Sequence, residues 1–420
     1  MSTDLPRSSG RDMESARICE CEECGRRYLL DLPSQDQSAV CRRCGATLIS
    51  VPANALQRAL ALTLTGLVLI VIANTMPLMS MTIAGRYQQA SLITGDIALY
   101  NDGLWPLALL VQFTTVIAPS LKLGSIAYVL IGVMLPRSPP GVVRIFGWLE
   151  RLRPWSMIEV YLLGVFVAYV KLIDLATIEV GIACYALGLL MLVMVLIDRV
   201  LSAELVWRAM EDRGLVRTPP AGAGPLLLCE TCGLVSSATK GHADCPRCGA
   251  RLHFRKPNSV TRAWALVLTA MVLYLPANIF PVMTVISFGK GEPDTILSGV
   301  KSLFYAGMWP LALLVFFASI TVPILKILGL IFLLVSTSRG SRWRLRDRTV
   351  LYRIVESIGR WSMIDIFMLS ILAGLVQLGS IATIRPGVGA VSFAAVVIIT
   401  MFAAAAFDPR LMWDAAGENR

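Results

Sequence analysis

The chain contains two copies of one pattern, and that repeat constrains the fold more than any other feature. Ala73-Asn74-Thr75-Met76-Pro77 recurs as Ala277-Asn278-Ile279-Phe280-Pro281, and Gly103-Leu104-Trp105-Pro106-Leu107-Ala108-Leu109-Leu110 recurs at the same offset as Gly307-Met308-Trp309-Pro310-Leu311-Ala312-Leu313-Leu314. Pro119 and Lys122 fall on Pro323 and Lys326, and a slightly larger offset carries Trp155-Ser156-Met157-Ile158-Glu159 onto Trp361-Ser362-Met363-Ile364-Asp365. A match that spans most of both halves demands two copies of one architecture. A Pro- and Gly-rich stretch from Pro219 to Pro225 marks the boundary between them.

Each copy holds apolar runs long enough to cross about 30 Å of hydrocarbon at about 1.5 Å per residue. They extend over Leu56–Met79, Gly103–Leu135, Trp155–Thr177 and Gly181–Ser202, then Thr261–Thr284, Tyr305–Ser336, Trp361–Ile384 and Val388–Phe407. Composition agrees, since 56% of residues are hydrophobic and 16% charged, against roughly half and a quarter in soluble domains. The expected fold class is therefore an all-α polytopic membrane protein. Two parallel repeats of four transmembrane helices are each preceded by a small β-rich zinc ribbon. Residues 1–55 form the first ribbon, 56–210 the first membrane repeat, 211–258 a linker with the second ribbon, and 259–420 the second repeat with a short tail.

Arginine placement orients the spans. The segment before the third span carries Arg137, Arg144, Arg151 and Arg153, and its partner before the seventh carries Arg339, Arg342, Arg344, Arg346, Arg348, Arg353 and Arg360. Ser80 to Asp102 has Arg86 alone. The Arg-rich loops belong on the cytoplasmic face, which puts both termini and both ribbons there. The polar N-terminus lacks the apolar core of a cleaved signal. This arrangement accounts for the net charge of +10 without invoking nucleic acid. Val142, Ile145, Phe146, Leu149 and Leu152 lie at helical spacing, as do Val350, Leu351, Ile354, Val355 and Ile358. Each set predicts a short helix lying in the interface.

Eight of the ten Cys form four Cys-x-x-Cys-Gly knuckles: Cys21 with Cys24, Cys41 with Cys44, Cys229 with Cys232, and Cys245 with Cys248. Two knuckles close one tetrahedral four-thiolate site, and the trailing Gly supplies a left-handed turn. In a reducing compartment this spacing favours metal over disulfides. Structural zinc is the first reading. Iron is the alternative, because the form Cys245-Pro246-x-Cys248 resembles rubredoxin and four sulfurs accept either metal. Cys19 can replace Cys21, though Gly25 after Cys24 favours the Cys21 pair. His242 and His253 are the two histidines, and neither is required as a ligand.

Charges inside the spans are the candidate functional residues. Lys122 and Lys326 follow prolines in the second-type spans, and Glu159 and Asp365 lie one turn into the third-type spans. Lys171 and Asp174 add a pair that the second half lacks, since Gln377 to Ser380 is uncharged. Such groups can fix helix register as buried ion pairs, or line a cavity and relay protons or hold a headgroup. Ser319, Ser362 and Thr400 can extend the network or bond their own helices. Pro119 and Pro323 predict kinks. There is no phosphate-binding Gly-rich loop and no Ser/His/Asp or Cys/His set, so the chain is not expected to be an enzyme. A membrane redox protein with rubredoxin-like iron and a non-transporting scaffold remain as alternatives to a transporter.

The knuckles, Trp-Pro-Leu-Ala-Leu-Leu, Trp-Ser-Met-Ile-Glu/Asp and the terminal Phe407-Asp408-Pro409-Arg410-Leu411-Met412-Trp413-Asp414 together resemble the paraquat-inducible protein A family over nearly the whole chain. The resemblance implies an inner-membrane partner of a periplasmic mammalian cell entry (MCE) protein of the LetB or PqiB kind, whose rings form a lipid-conducting tunnel. Phospholipid would then move between the inner and outer membranes of a Gram-negative envelope, with possible coupling to the proton gradient. The family's polar network maps onto Lys171, Asp174, Ser319, Lys326, Ser362, Asp365 and Thr400. One departure stands out: the first half ends Asp198-Arg199 without the Asp-Pro-Arg sequence.

Overall fold

Apolar runs bounded by Gly, Pro and β-branched residues become helices joined by small antiparallel sheets. The computed structural model describes residues 17–30, 37–52, 54–83, 85–152, 155–173, 176–216, 218, 225–237, 244–287, 290–305, 307–359, 361–377 and 382–417. The first ribbon is two hairpins, β1 (Arg17–Glu20) with β2 (Arg27–Leu30) and β3 (Gln37–Val40) with β4 (Thr47–Val51). Helix α1 (Ala55–Thr75) then carries the chain to its far end, where β5 (Met79–Ile83) and β6 (Arg86–Ala90) turn into α2 (Leu92–Asn101). The chain returns through α3 (Trp105–Gln112) and α4 (Ala118–Met134) to α5 (Val142–Leu152). It passes outward again in α6 (Ile158–Leu172) to β7 (Thr177–Val180), and back in α7 (Ile182–Val200) to α8 (Ala203–Asp212).

The second half repeats this order. A hairpin of β8 (Leu226–Leu228) and β9 (Val235–Ser237) belongs to its ribbon, followed by α9 (Ser259–Ile279), β10 (Met283–Ser287), β11 (Lys290–Asp294) and α10 (Ile296–Tyr305). Next come α11 (Trp309–Phe316), α12 (Val322–Ser338), α13 (Leu345–Ile358), α14 (Ile364–Leu375), β12 (Ala382–Pro386), α15 (Val388–Ala406) and α16 (Arg410–Ala415). In each half the return strand completes a three-stranded antiparallel sheet, in the orders β6-β5-β7 and β11-β10-β12. These sheets, with α2 and α10, fill what the sequence reading treated as a loop. Their short polar alternation is too weak to announce itself beside long apolar helices.

Seven helical stretches among the described residues are long and apolar enough to cross a membrane; α14 is among them only together with α13, as Leu345–Leu375, and α6 is not among them. The expected third-type spans are shorter than the apolar runs suggested. Helix α6 has 15 residues and α14 has 12, or about 22 and 18 Å of helix. The runs overshoot because part of Trp155–Thr177 is spent outside the helix, in the segment before Ile158 and in β7. In the second long span, α11 and α12 are joined by a π-helical turn at Phe317–Thr321, and α3 and α4 by one at Phe113–Ile117. Each turn lies just before Pro119 or Pro323. A proline ring clashes with the carbonyl four residues back, and a widened turn relieves that clash.

The short helices expected before the third-type spans form as α5 and α13, with one correction. Helix α5 buries Val142, Phe146, Leu149 and Leu152, but α13 turns Leu345, Arg348, Thr349, Tyr352 and Val355 inward. Val350, Ile354 and Ile358 of the expected apolar face stand outward. Two of the inward polar groups make local bonds, Arg348 Nη1 donating to the Ser341 carbonyl at 2.7 Å and Thr349 Oγ1 accepting from Trp413 Nε1 at 3.2 Å, while Arg348 Nε and Nη2 are buried without a partner among the described residues. Hydrophobicity alone therefore picked a rotated face.

Each ribbon caps the membrane helices of the other half. In the first ribbon, Glu23 receives the Arg353 guanidinium of α13, and Arg43 stacks 4.1 Å over Trp413 of α16. In the second, Arg247 reaches Glu204 at 3.1 Å and Glu211 at 3.3 Å, both on α8, and lies over Trp207. Trp207 in turn packs edge-on against Phe146 at 5.0 Å. The packed unit is thus a membrane half with the ribbon that follows it, and the N-terminal ribbon closes the cycle on the C-terminal helices.

Candidate functional site

The four-cysteine centres are preformed. Each knuckle is the turn of a hairpin, and Gly25, Gly45, Gly233 and Gly249 all adopt left-handed backbone, with φ of 70, 77, 69 and 72°. Their N–H groups donate to the carbonyls of Cys21, Cys41, Cys229 and Cys245 at 2.8–2.9 Å. Across the centres, Sγ atoms of Cys21 and Cys44 are 3.5 Å apart, Cys24 and Cys41 3.6 Å, and Cys229 and Cys248 and Cys232 and Cys245 3.5 Å. A tetrahedron with metal–sulfur bonds of about 2.3 Å has edges of about 3.8 Å, so both sets fit a four-thiolate ion. Cys19 is paired with Tyr28 in β1 and is not part of the cluster. His253 lies outside both clusters, and His242 falls outside the described residues.

Ionic contacts weld these centres to the helix ends. Arg410 donates from Nη2 to Asp408 Oδ2 and Glu230 Oε1, both at 2.8 Å, and its Nη1 is 3.9 Å from Glu20. Arg255 adds bonds to Asp414 at 2.6 and 3.0 Å. Glu20 belongs to the first ribbon and Glu230 to the second, so the Asp408-Pro409-Arg410 sequence ties both ribbons to the end of α15. Burial alone would raise the Asp408 carboxyl, but the Arg410 guanidinium and backbone N–H groups hold it below its ordinary value.

Inside the helices the candidate residues separate into three places. Lys122 Nζ donates to Asp198 Oδ2 of α7 at 2.9 Å, a carboxylate that its place at the end of an apolar run does not mark as a candidate. Glu159 itself sits half-buried in the first turn of α6. In the second half the position of Asp198 is taken by Ala404. Lys326, 4% exposed, has no carboxylate within ion-pairing distance among the described residues. Its ammonium instead abuts Gly359, where a Cβ would lie 2.4 Å from Nζ. The Glu356 carboxylate of α13 is the charge that reaches it.

The third place is a cavity on the sheet side of the second half. Lys171, Asp294, Gly299, Asp365, Met368 and Phe393 line it. Lys171 feels both Asp294 and Asp365. Both Asp365 oxygens and the Ser319 and Ser362 hydroxyls are buried without a hydrogen-bond partner among the described residues. Ser319 faces Asp365 but falls short of hydrogen-bond geometry. Thr400 bonds the Val397 carbonyl of its own helix at 2.9 Å. Asp174 lies outside the described residues. Asp96 went unnoticed in the sequence, yet it is 5% exposed and accepts from Ser370 at 3.2 Å.

Buried, unpartnered polar atoms cluster where natural proteins tolerate few. Together with two thiolate centres and a repeated helical frame, they define a polytopic membrane protein with a mostly apolar cavity that holds a few charged groups. The chain belongs to the paraquat-inducible protein A family, whose model matches residues 56–211 and 260–417. It is 32% identical to the intermembrane transport protein PqiA of Escherichia coli over 411 residues, 96% of this chain and 97% of that one. It is also 32% identical to the lipophilic envelope-spanning tunnel protein A of E. coli over 410 residues, covering 97% and 94%. A probable intermembrane transport protein of Haemophilus influenzae is 28% identical over 417 residues, covering 94% and 96%. No solved structure matches the chain.

Proposed function

We propose that the chain is the inner-membrane component of a phospholipid transport system, passing lipid to or from a periplasmic MCE tunnel protein with proton coupling. In this reading each half crosses the membrane four times, the short α6 and α14 included. The ribbons and both termini are cytoplasmic, on the side of the Arg-rich α5 and α13, and the sheets are periplasmic. The names of the relatives support transport between membranes, and the second-half cavity is the observation that carries the lipid. Its walls are mostly apolar, and its charged lining residues Lys171, Asp294 and Asp365 interact with one another.

A phospholipid leaving the bilayer exposes acyl chain at about 0.8 kcal/mol per CH2, so apolar walls must replace that contact. Lys171 is placed to hold a phosphate, and Asp365, with no hydrogen-bond partner for its carboxyl among the described residues, can take up or release a proton beside it. The ribbons bind zinc and brace the frame; when bound, the ion supplies folding energy rather than chemistry. A photoactivatable amino acid at Met368 should give a phospholipid adduct in native membranes. The same probe at Val68, on the outer face of α1, serves as the control for general lipid contact. Equal adduct at both positions would remove the cavity from the proposal. Purified protein should be colourless with two zinc ions per chain. A visible thiolate-to-iron band would reinstate the redox alternative.

A further inference from the structure

The repeat predicts two equivalent seams between the halves, and the structure closes one of them. Helix α2 of the first half lies on α14 of the second. A methyl on Gly95 would meet the Ser370 carbonyl oxygen at 2.4 Å, and one on Gly374 would meet the Gly95 nitrogen at 2.7 Å. Glycines are needed at both positions for the backbones to approach this closely. Beside them the Ser370 hydroxyl donates to Asp96, and the second Asp96 oxygen is buried without a partner among the described residues. A carboxyl this buried, with a single hydroxyl for company, is expensive to keep.

The other seam keeps the counterpart of Gly95 and loses the rest of this contact. In the repeat register Gly299 of α10 corresponds to Gly95, and nothing lies within 4 Å of its Cβ position. Val300 stands where the first half has Asp96, Gly164 where the second half has Ser370, and Ala168 where it has Gly374. Helix α10 therefore has neither an acceptor nor a glycine seat, and the space it leaves is the cavity that Lys171 and Asp365 line.

We infer that Asp96 is a positioning residue, holding α14 against α2 so that the helix carrying Asp365 is the fixed wall of the cavity. The inference rests on the transport reading of that cavity. The bond needs an acceptor at residue 96, not a charge.

The test uses the full chain in vesicles of phosphatidylethanolamine and phosphatidylglycerol with a trace of phosphatidylethanolamine bearing a photoactivatable acyl chain. Adduct is mapped to the cavity residues. Asp96→Leu and Ser370→Ala should each lower adduct about tenfold, as expected for loss of a bond to a carboxylate, and combining them should cost no more. Asp96→Asn, which retains an acceptor, should restore most of the yield. Asp96→Cys with Ser370→Cys should be weak when reduced and recover when the disulfide closes the seam. An Asn variant as poor as Leu, or a disulfide-linked protein that stays inactive, would overturn the inference. So would a normal adduct yield from Asp96→Leu. Absence of adduct in the wild type instead defeats the transport reading. Size-exclusion profiles separate either result from misfolding.

Discussion

Asp365→Asn should abolish transport while leaving the protein at least as stable as the wild type. Both carboxyl oxygens are buried without a partner among the described residues, so the wild type bears the desolvation of an ionisable group that makes no bond in return. Removing the charge relieves that cost by about 1–2 kcal/mol if the group is ionised, and changes little if it is protonated. Its function goes with it, because an amide cannot exchange a proton. Lys326→Met should behave alike, for the ammonium is equally buried, lies against Gly359 and is reached by the Glu356 charge without an ion pair among the described residues. Growth in detergent of a host deleted for its own relatives, read beside a thermal melt of the purified variants, checks both. Full complementation by both variants would take the charges out of the mechanism. Loss of activity with a lower melting temperature would mean that they serve the fold.

The frame was legible because its signals are long. Twenty-residue apolar runs, a repeat that matches residue by residue, and Cys-x-x-Cys-Gly spacing each reflect local chemistry that tertiary contacts do not override. Gly25 and its three counterparts were readable for the same reason, since no other residue suits that turn. The sheets were not legible, because five-residue strands such as Met79–Ile83 adjoin apolar helix ends and continue their composition. The swap of ribbons could not be seen either. It depends on Arg353 finding Glu23 and Arg43 finding Trp413 across some 300 residues or more of chain, and spacing carries no information about which half a ribbon will cap.

The site was half legible. Position in a span marked Lys122, Lys171, Lys326 and Asp365 as costly and so as candidates, but it did not give their partners. Asp198 was overlooked as the partner of Lys122 because it sits at the end of a run, beside Arg199, where a charge usually means an exit from the membrane. Asp96 was missed because it lies in a segment read as a loop. A comparison of the repeats at that point, Asp96 against Val300 and Gly374 against Ala168, was the available signal. Divergence between copies of a repeat marks where each copy has taken its own task.

The ionic knot at the end of α15 supports the second large prediction. Arg410→Ala should destabilise the protein by about 3–5 kcal/mol, the usual result of removing one partner from a buried pair, because Asp408 is 1% exposed and loses its main cation. Arg410→Lys should not rescue it, since a point charge cannot fork between Asp408 and Glu230 as a guanidinium does. The effect should appear in both ribbons together, because Glu20 and Glu230 meet at this one side chain. Limited proteolysis should then cut both ribbons at a concentration that spares the wild type, and a metallochromic dye should register faster metal loss from two sites. The pH dependence has a definite sign. A carboxyl held below its ordinary value of about 3.9 contributes its stability above that value and loses it as pH falls through the lower, folded-state one. The wild type should therefore hold its ribbons unchanged from pH 8 down to about 5 and release them only in stronger acid, whereas Arg410→Ala should already be loosened at neutral pH. Release of one ribbon alone would show that the knot is two separate contacts.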